Sequence, residues 1–303
     1  MKIAVIGIGS NSVRMLVTQV EGKKGQRIRR DRAGTRLFAG LDAEGRLDCA
    51  AMEKTVDAVS AMAASARAEG AAEVRLFATS ATRDAANKEE FAELLRERAG
   101  VELTVCTGEE EASLSFLGAT GGGYCGVIDI GGGSTEVVVG DEERTACSFS
   151  CQMGAVRLFR EVPIRSSADV EAVATRATAL LEEKLNQYPE LEMPARWFGT
   201  GGTFTSLAAI VRGIHWTERP YMHGTVLTLE KVEETARRLA DMSVEERLQI
   251  PGLQPNRADI VVHGVCILIA CMRRMRISEL SVSEYGNLDG YVKRYYGLTD
   301  GLY

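Results

Sequence analysis

Three consecutive glycines just beyond an aspartate that ends an apolar run are the first residues in this chain with an evident chemistry. They lie in Val127-Ile128-Asp129-Ile130-Gly131-Gly132-Gly133-Ser134-Thr135-Glu136-Val137-Val138-Val139, which reads as strand, turn and strand. Gly131, Gly132 and Gly133 let the backbone turn sharply and aim several N–H groups into one concavity, with Ser134 closing it and no Cβ to hold an anion away. A carboxylate at the strand end, Asp129, can hold a cation or a water beside that anion. Taken alone, the stretch is equally well a tight glycine hairpin with a solvated Asp.

An internal repeat separates the two readings. Val5-Ile6-Gly7-Ile8-Gly9-Ser10-Asn11-Ser12-Val13-Arg14-Met15-Leu16-Val17 overlays the first stretch at a constant offset of 122 positions, Gly9 on Gly131 and Ser12 on Ser134. Two such hairpins, each opening a half of the chain, predict two related domains whose turns face each other across a cleft. One position differs in kind, since Gly7 stands where the second copy has Asp129. A third glycine turn, Gly199-Thr200-Gly201-Gly202-Thr203, falls between a strand and the start of a helix, so its N–H groups and the helix N-terminus could face an anion. Thr79-Ser80-Ala81-Thr82-Arg83-Asp84 is a polar cluster at a strand end, and the Arg83 guanidinium offers a planar fork matched to phosphate oxygens. The plainer alternative there is a helix cap with a surface Arg. Glu109, Glu110 and Glu111 open a helix, where acids are ordinary helix-dipole chemistry, but one of them aimed at a phosphate would be a general base for water.

The elements that must carry these residues follow from periodicity. Residues 2–8, 13–20 and 25–32 read as a three-stranded meander, 51–69 as an amphipathic helix, 74–78 as a buried strand, 87–99 as a helix, 101–106 as a strand and 107–116 as a helix. Gly121-Gly122-Gly123 is the most linker-like point and sets the expected domains at 1–120 and 121–303. The second half repeats strand, turn, strand, strand to about residue 149, followed by helices over 168–188 and 226–242, a buried helix over 260–272 and a last strand over 280–282. Basic residues between Lys23 and Arg36 form either a solvated sheet face or an anion-steering rim.

The 303 residues are 45% hydrophobic and 26% charged, the composition of a soluble globular protein, and the net charge of −6 argues against a surface for DNA or RNA. Residues 260–272 are too short for a bilayer, and the Lys2 start runs straight into a strand, so a cytoplasmic location without a membrane is the expectation. Seven cysteines (49, 106, 125, 147, 151, 266 and 271) include no CxxC pair and are expected to be reduced and mostly buried, with packing outweighing a redox pair at Cys147 and Cys151. His215, His223 and His263 have no metal-ligand spacing, and no Ser/His/Asp or Cys/His set is visible.

With these residues in place, the chain resembles the Ppx/GppA phosphatases, the exopolyphosphatases and guanosine pentaphosphate phosphohydrolases, in their short two-domain form. The likeness covers essentially the whole chain and rests on Ile8-Gly9-Ser10-Asn11-Ser12, Ala78 to Arg83, Gly108-Glu109-Glu110-Glu111-Ala112, Asp129 to Glu136 and Gly199 to Thr203. The fold expected is α/β: two actin-like (ribonuclease H-like) domains, each a mixed five-stranded sheet with helices, with the ligand cleft between them. The resemblance implies hydrolysis of the terminal phosphoanhydride of polyphosphate, or of the 5′ γ-phosphate of pppGpp, assisted by Mg2+ or Mn2+, in a homodimer. Under it, Glu111 matches the catalytic glutamate that deprotonates water, Asp129 assists through the metal or the water, and both are candidate metal ligands. Asn11, Ser12, Arg83, Gly131, Gly132, Gly133, Ser134, Gly201, Gly202 and Thr203 would hold phosphate oxygens. Two positions depart from the family pattern: Gly7 replaces an Asp, and Leu288 replaces an Arg in Ser283-Glu284-Tyr285-Gly286-Asn287-Leu288-Asp289-Gly290. They leave open a second class of function, a catalytically weak or inactive protein that binds polyphosphate or (p)ppGpp. A sugar or acetate kinase has no separate sugar-binding signature here.

Overall fold

The computed structural model describes residues 1–141 and 143–299. The chain divides into two compact units, Met1–Gly118 with the residues from Asn287 onward, and Ala119–Gly286. Each is built around one mixed sheet.

In the first unit, β1 (Lys2–Ile8), β2 (Val13–Glu21) and β3 (Lys24–Ala33) form an antiparallel meander; α1 (Cys49–Ala68) crosses to β4 (Glu73–Ala78). After β4 come α2 (Ser80–Arg83), α3 (Lys88–Ala99), β5 (Leu103–Val105) and α4 (Gly108–Ala119). The strand order is β3-β2-β1-β4-β5, with β4 parallel to β1 and β5 parallel to β4, the ribonuclease H-like arrangement. β1 is buried from Ile3 to Ile8 because helices cover both of its faces, which is why it reads as one apolar run.

The second unit repeats the meander with β6 (Cys125–Ile130), β7 (Thr135–Gly140) and β8 (Thr145–Cys151), followed by α5 (Ala155–Glu161) and α6 (Val170–Leu185). Then come β9 (Trp197–Thr200), α7 (Gly202–Arg212), β10 (Val226–Thr228), α8 (Leu229–Ala240), α9 (Val244–Arg247), α10 (Val261–Arg274) and β11 (Glu279–Val282). Its sheet has six strands, in the order β10-β11-β9-β6-β7-β8, and this corrects the five expected. The extra strand is the start of the segment read as one helix over 226–242. Val226–Thr228 pairs antiparallel with β11, and Thr228 then caps α8 by accepting from the Lys231 N–H. Helix α10 is buried from Val261 to Met272 and forms the centre of this unit's core. Among the described residues, no helix is long and apolar enough to cross a membrane.

The last helix, α11 (Asn287–Tyr296), belongs to the first unit, whereas the expected division at 120/121 groups it with the second. Leu288, Tyr291 and Val292 join Ile3, Val5, Leu16 and Phe77 in one apolar cluster, and Tyr291 stacks on Phe77 with ring centroids 4.9 Å apart. Asp289, 1% exposed, accepts from Arg27 Nε at 3.0 Å and Arg30 Nη2 at 2.9 Å, while Arg29 pairs with Asp31 and Glu69. These pairs give the basic row on β3 a structural role rather than that of a steering rim.

Candidate active site

The two hairpin turns are closed by the same bond. The Gly9 N–H donates to the Ser12 carbonyl at 3.0 Å, and the Gly131 N–H donates to the Ser134 carbonyl at 3.0 Å. The sequence repeat is therefore a structural one, down to the hydrogen bond that folds each turn.

In the first unit, β1, β4 and β5 are parallel neighbours, so their carboxyl ends lie along one sheet edge, where open α/β sheets bind ligands. The turn carrying Asn11 and Ser12 leaves β1 there. Thr79 to Arg83 leaves β4, and Cys106 to Glu111 leaves β5. The phase of α4 decides among its three acids. Thr107 and Glu110 form a reciprocal cap, the Glu110 N–H donating to Thr107 Oγ1 at 3.1 Å and the Thr107 N–H to Glu110 Oε2 at 2.8 Å. Glu109 is exposed, and Glu111 turns inward, 6% exposed. Its Oε2 lies 3.1 Å from Arg83 Nη1, which also donates to the Cys106 carbonyl at 3.0 Å. The buried Arg83 Nη2 has no hydrogen-bond partner among the described residues, so the guanidinium holds Glu111 with one arm and leaves a second donor unengaged. Burial, with Glu111 adding to it, pushes the Cys106 thiol up to about 12, which removes it as a nucleophile.

Gly7 faces the packing of α11. A Cβ there would lie 3.0 Å from Phe77 Cζ and 3.3 Å from Leu288 Cδ2. The two departures from the family pattern therefore meet each other, in the apolar seat of α11.

In the second unit, β6 and β9 are parallel with Asp129 beside Thr200, which brings the first and third glycine turns together. Gly201 has φ +94 and ψ −179, a conformation essentially confined to glycine, and a Cβ there would fall 2.6 Å from Asp129 Oδ1. The carbonyls of Gly131 and Gly132 accept from Ala155, Val156 and Arg157 at the start of α5. The N–H groups of Gly132 and Gly133 have no acceptor among the described residues, and Ser134 is buried beside them. Thr203 is placed differently from the expectation: its hydroxyl stands where a Cβ on Gly264 of α10 would be 2.4 Å away, so it faces a helix interface, and only its backbone remains for the turn.

Two side chains escaped the sequence reading. Glu136, quoted in the glycine motif without a role, is directly cross-strand from Asp129 and accepts from Ser150 Oγ at 2.7 Å. Paired positions share a face, so period-two alternation could have found it. Arg257 is buried with its guanidinium over the third turn, where a Cβ on Gly202 would meet Nη2 at 1.8 Å. Nothing local to residue 257 signals that.

Asp129 and Glu136 occupy paired positions on one face of the sheet, beside a turn whose Gly132 and Gly133 N–H groups have no acceptor among the described residues. Among the described residues, no group of three or more His, Cys, Asp and Glu side chains is arranged to hold a metal. A two-carboxylate set fits Mg2+, which is commonly held by one or two carboxylates with phosphate and water completing the shell, and does not resemble a Zn2+ site.

Two sheets of the ribonuclease H-like type, each opened by a glycine hairpin closed by the same bond, define a protein of the actin-like fold. The chain belongs to the Ppx/GppA phosphatase family, whose model matches residues 16–295. It is 33% identical over 310 residues to exopolyphosphatase 2 of Mycobacterium tuberculosis, covering 95% of this chain and 97% of that one. It is 30% identical to the guanosine-5′-triphosphate,3′-diphosphate pyrophosphatase of Aeromonas salmonicida, covering 97% of this chain and 59% of that one. Among solved structures, an exopolyphosphatase-like protein superposes with a TM-score of 0.89 at 27% identity, and the Aquifex aeolicus member of the family with 0.80 at 27%, each covering 97% of both chains.

Proposed function

We propose that this protein hydrolyses a terminal phosphoanhydride and releases orthophosphate, its substrate being inorganic polyphosphate or the 5′ γ-phosphate of pppGpp. The observation that carries this reading is Glu111, a buried carboxylate at the carboxyl edge of a parallel sheet, held by Arg83. Glu111 takes the proton of the attacking water, and Arg83 fixes its rotamer while offering Nη2 to a phosphate oxygen. The backbone of the Asn11–Ser12 turn in the first unit, and the Gly132, Gly133, Gly201 and Gly202 backbone in the second, bind phosphate oxygens as charge redistributes in a loose transition state. Arg257 adds a guanidinium beside Gly202. Asp129 and Glu136 are the residues that would hold Mg2+ or Mn2+, which when bound neutralises charge on the phosphate oxygens.

Support for the two substrates comes from the names of the relatives, one an exopolyphosphatase and one a pppGpp pyrophosphatase. A homodimer is supported by the family likeness, and a cytoplasmic location by the composition of a soluble globular chain. A binding-only role is the weaker reading, because Gly7 lies in the seat of α11 and Glu111, Arg83 and Asp129 are all present. The test is orthophosphate release from long-chain polyphosphate and, separately, from pppGpp, with Mg2+ and with EDTA. Metal-dependent release from one or both is expected. Binding of both ligands without release from either would establish the binder instead.

A further inference from the structure

We propose that α11 is the positioning element for Glu111 and that Gly290 is the residue through which it acts, a proposal that rests on the role of Glu111 given above. Successive positions on a helix point about 100° apart. Leu288, Asp289 and Gly290 therefore face three directions, and each meets a different element. Leu288 packs at Gly7 of β1, and Asp289 takes Arg27 and Arg30 of β3. Gly290 lies against the backbone of α4, where a Cβ would be 1.8 Å from the Leu114 carbonyl oxygen and 2.7 Å from its carbon. One turn further on, Lys293 Nζ donates to the Leu117 carbonyl at 2.8 Å and Arg294 reaches Ser113 Oγ. The helix that carries Glu111 is thus gripped at residues 113, 114 and 117 by a helix that is itself fixed from two other sides.

Glycine inside a helix is less favourable than alanine, so its presence at 290 calls for a reason, and the close approach of α4 supplies one. Glu111 is three residues before Leu114 on the same side of α4. Raising the 1.8 Å contact to the 3.0 Å below which real Cβ atoms essentially never come requires the two helices to separate by at least 1.2 Å, and α11 is the one held from two other sides. A displacement of about 1 Å at a catalytic group can cost on the order of a hundredfold in rate. The 3.1 Å contact of Glu111 with Arg83 would be lost at the same time.

The test compares wild type with Gly290→Ala, Lys293→Met and, as a control for simple destabilisation, Val59→Ala on the buried face of α1. Steady-state orthophosphate release and hydrogen exchange of the α4 amides are measured on each full-length protein. Gly290→Ala should lower kcat about a hundredfold with KM changed less than threefold, and Lys293→Met about tenfold. In both, the amides of residues 111–115 should exchange faster, whereas Val59→Ala should lose thermal stability and keep kcat. Normal kcat in Gly290→Ala, or a parallel fall in Val59→Ala, would overturn the proposal. If Gly290→Ala fails to fold, Lys293→Met carries the same comparison. If wild type releases no phosphate, the assignment of Glu111 fails on its own, and unchanged exchange at 111–115 would then overturn the brace as well.

Discussion

Restoring the family's carboxylate at position 7 should damage this protein rather than activate it. The side chain of a Gly7→Asp variant would start from a Cβ 3.0 Å from Phe77 Cζ and 3.3 Å from Leu288 Cδ2, in a cluster with Ile3, Val5 and Tyr291. Arg14 is across from Gly7 in the sheet, but its Nη2 donates to Asn287 Oδ1 at 3.1 Å, at the start of α11. A carboxylate enclosed in this way, without a dedicated partner, costs about 3 kcal/mol. In a unit of roughly 130 residues, with an unfolding entropy of about 2.1 cal/mol/K per residue, that lowers the melting temperature by about 10 °C. The acid would keep its proton to a higher pH in the folded chain than its ordinary value of about 3.9 in the unfolded one. The deficit is therefore small near pH 4 and grows as the pH rises toward neutrality. Adding Leu288→Arg supplies a partner at the contacting position, so the double variant should recover about 1–2 kcal/mol, or roughly 3–7 °C. Differential scanning calorimetry at pH 4.5 and pH 7.5 on the two single variants and the double reads all of this. A Gly7→Asp protein with unchanged melting and faster phosphate release would show that position 7 faces the substrate and would refute the reasoning.

Two further outcomes follow from buried groups. Burial holds His263 below the ordinary imidazole value, opposed by its bond to the Val162 carbonyl and by Asp259 and reinforced by Arg247. Nε2 lies 2.8 Å from that carbonyl and so carries the proton of the neutral ring. The unfolded chain binds a proton there more readily, so stability present above about pH 6.5 should fall as the pH drops below it, and His263→Gln should flatten that dependence in calorimetry. Of the seven cysteines, Cys49 alone is exposed, and burial pushes Cys147, Cys151 and Cys266 up to about 12. A thiol reagent at pH 8 should label one cysteine in the native protein and seven in denaturant; rapid labelling of Cys147 or Cys151 would contradict their place in the core.

What could be read from the sequence was whatever short-range pattern determines. The two hairpins were legible because a glycine turn and its flanking strands are local, and the common offset of Gly9 and Gly131 showed them to be the same unit. The choice of Glu111 among three acids was also present locally, since Thr107 with Glu110 is a capping pair that fixes the phase of α4 and turns Glu111 inward. Strand β10 is three residues long and joins the sheet only through β11, so its pattern ran into the following helix. Helix α11 went unread because Gly290 weakens its helical signal and a buried Asp289 breaks its apolar face, and both residues make sense only against β3 and α4, far away in the chain. Gly7 reads only as a missing Asp for the same reason: its partner is Leu288, which sequence distance hides. Arg257, brought over Gly202 by the packing of the second unit, belongs with these.

The most direct measurement of the central claim is single-turnover and steady-state orthophosphate release by Glu111→Gln beside wild type, on polyphosphate and on pppGpp at saturating Mg2+. The amide keeps the shape and the contact with Arg83 but cannot take a proton. kcat should fall by about 10²- to 10⁴-fold with KM changed less than threefold. A Glu111→Gln enzyme within a few-fold of wild-type kcat on the substrate that wild type uses would contradict the assignment of Glu111 as the base.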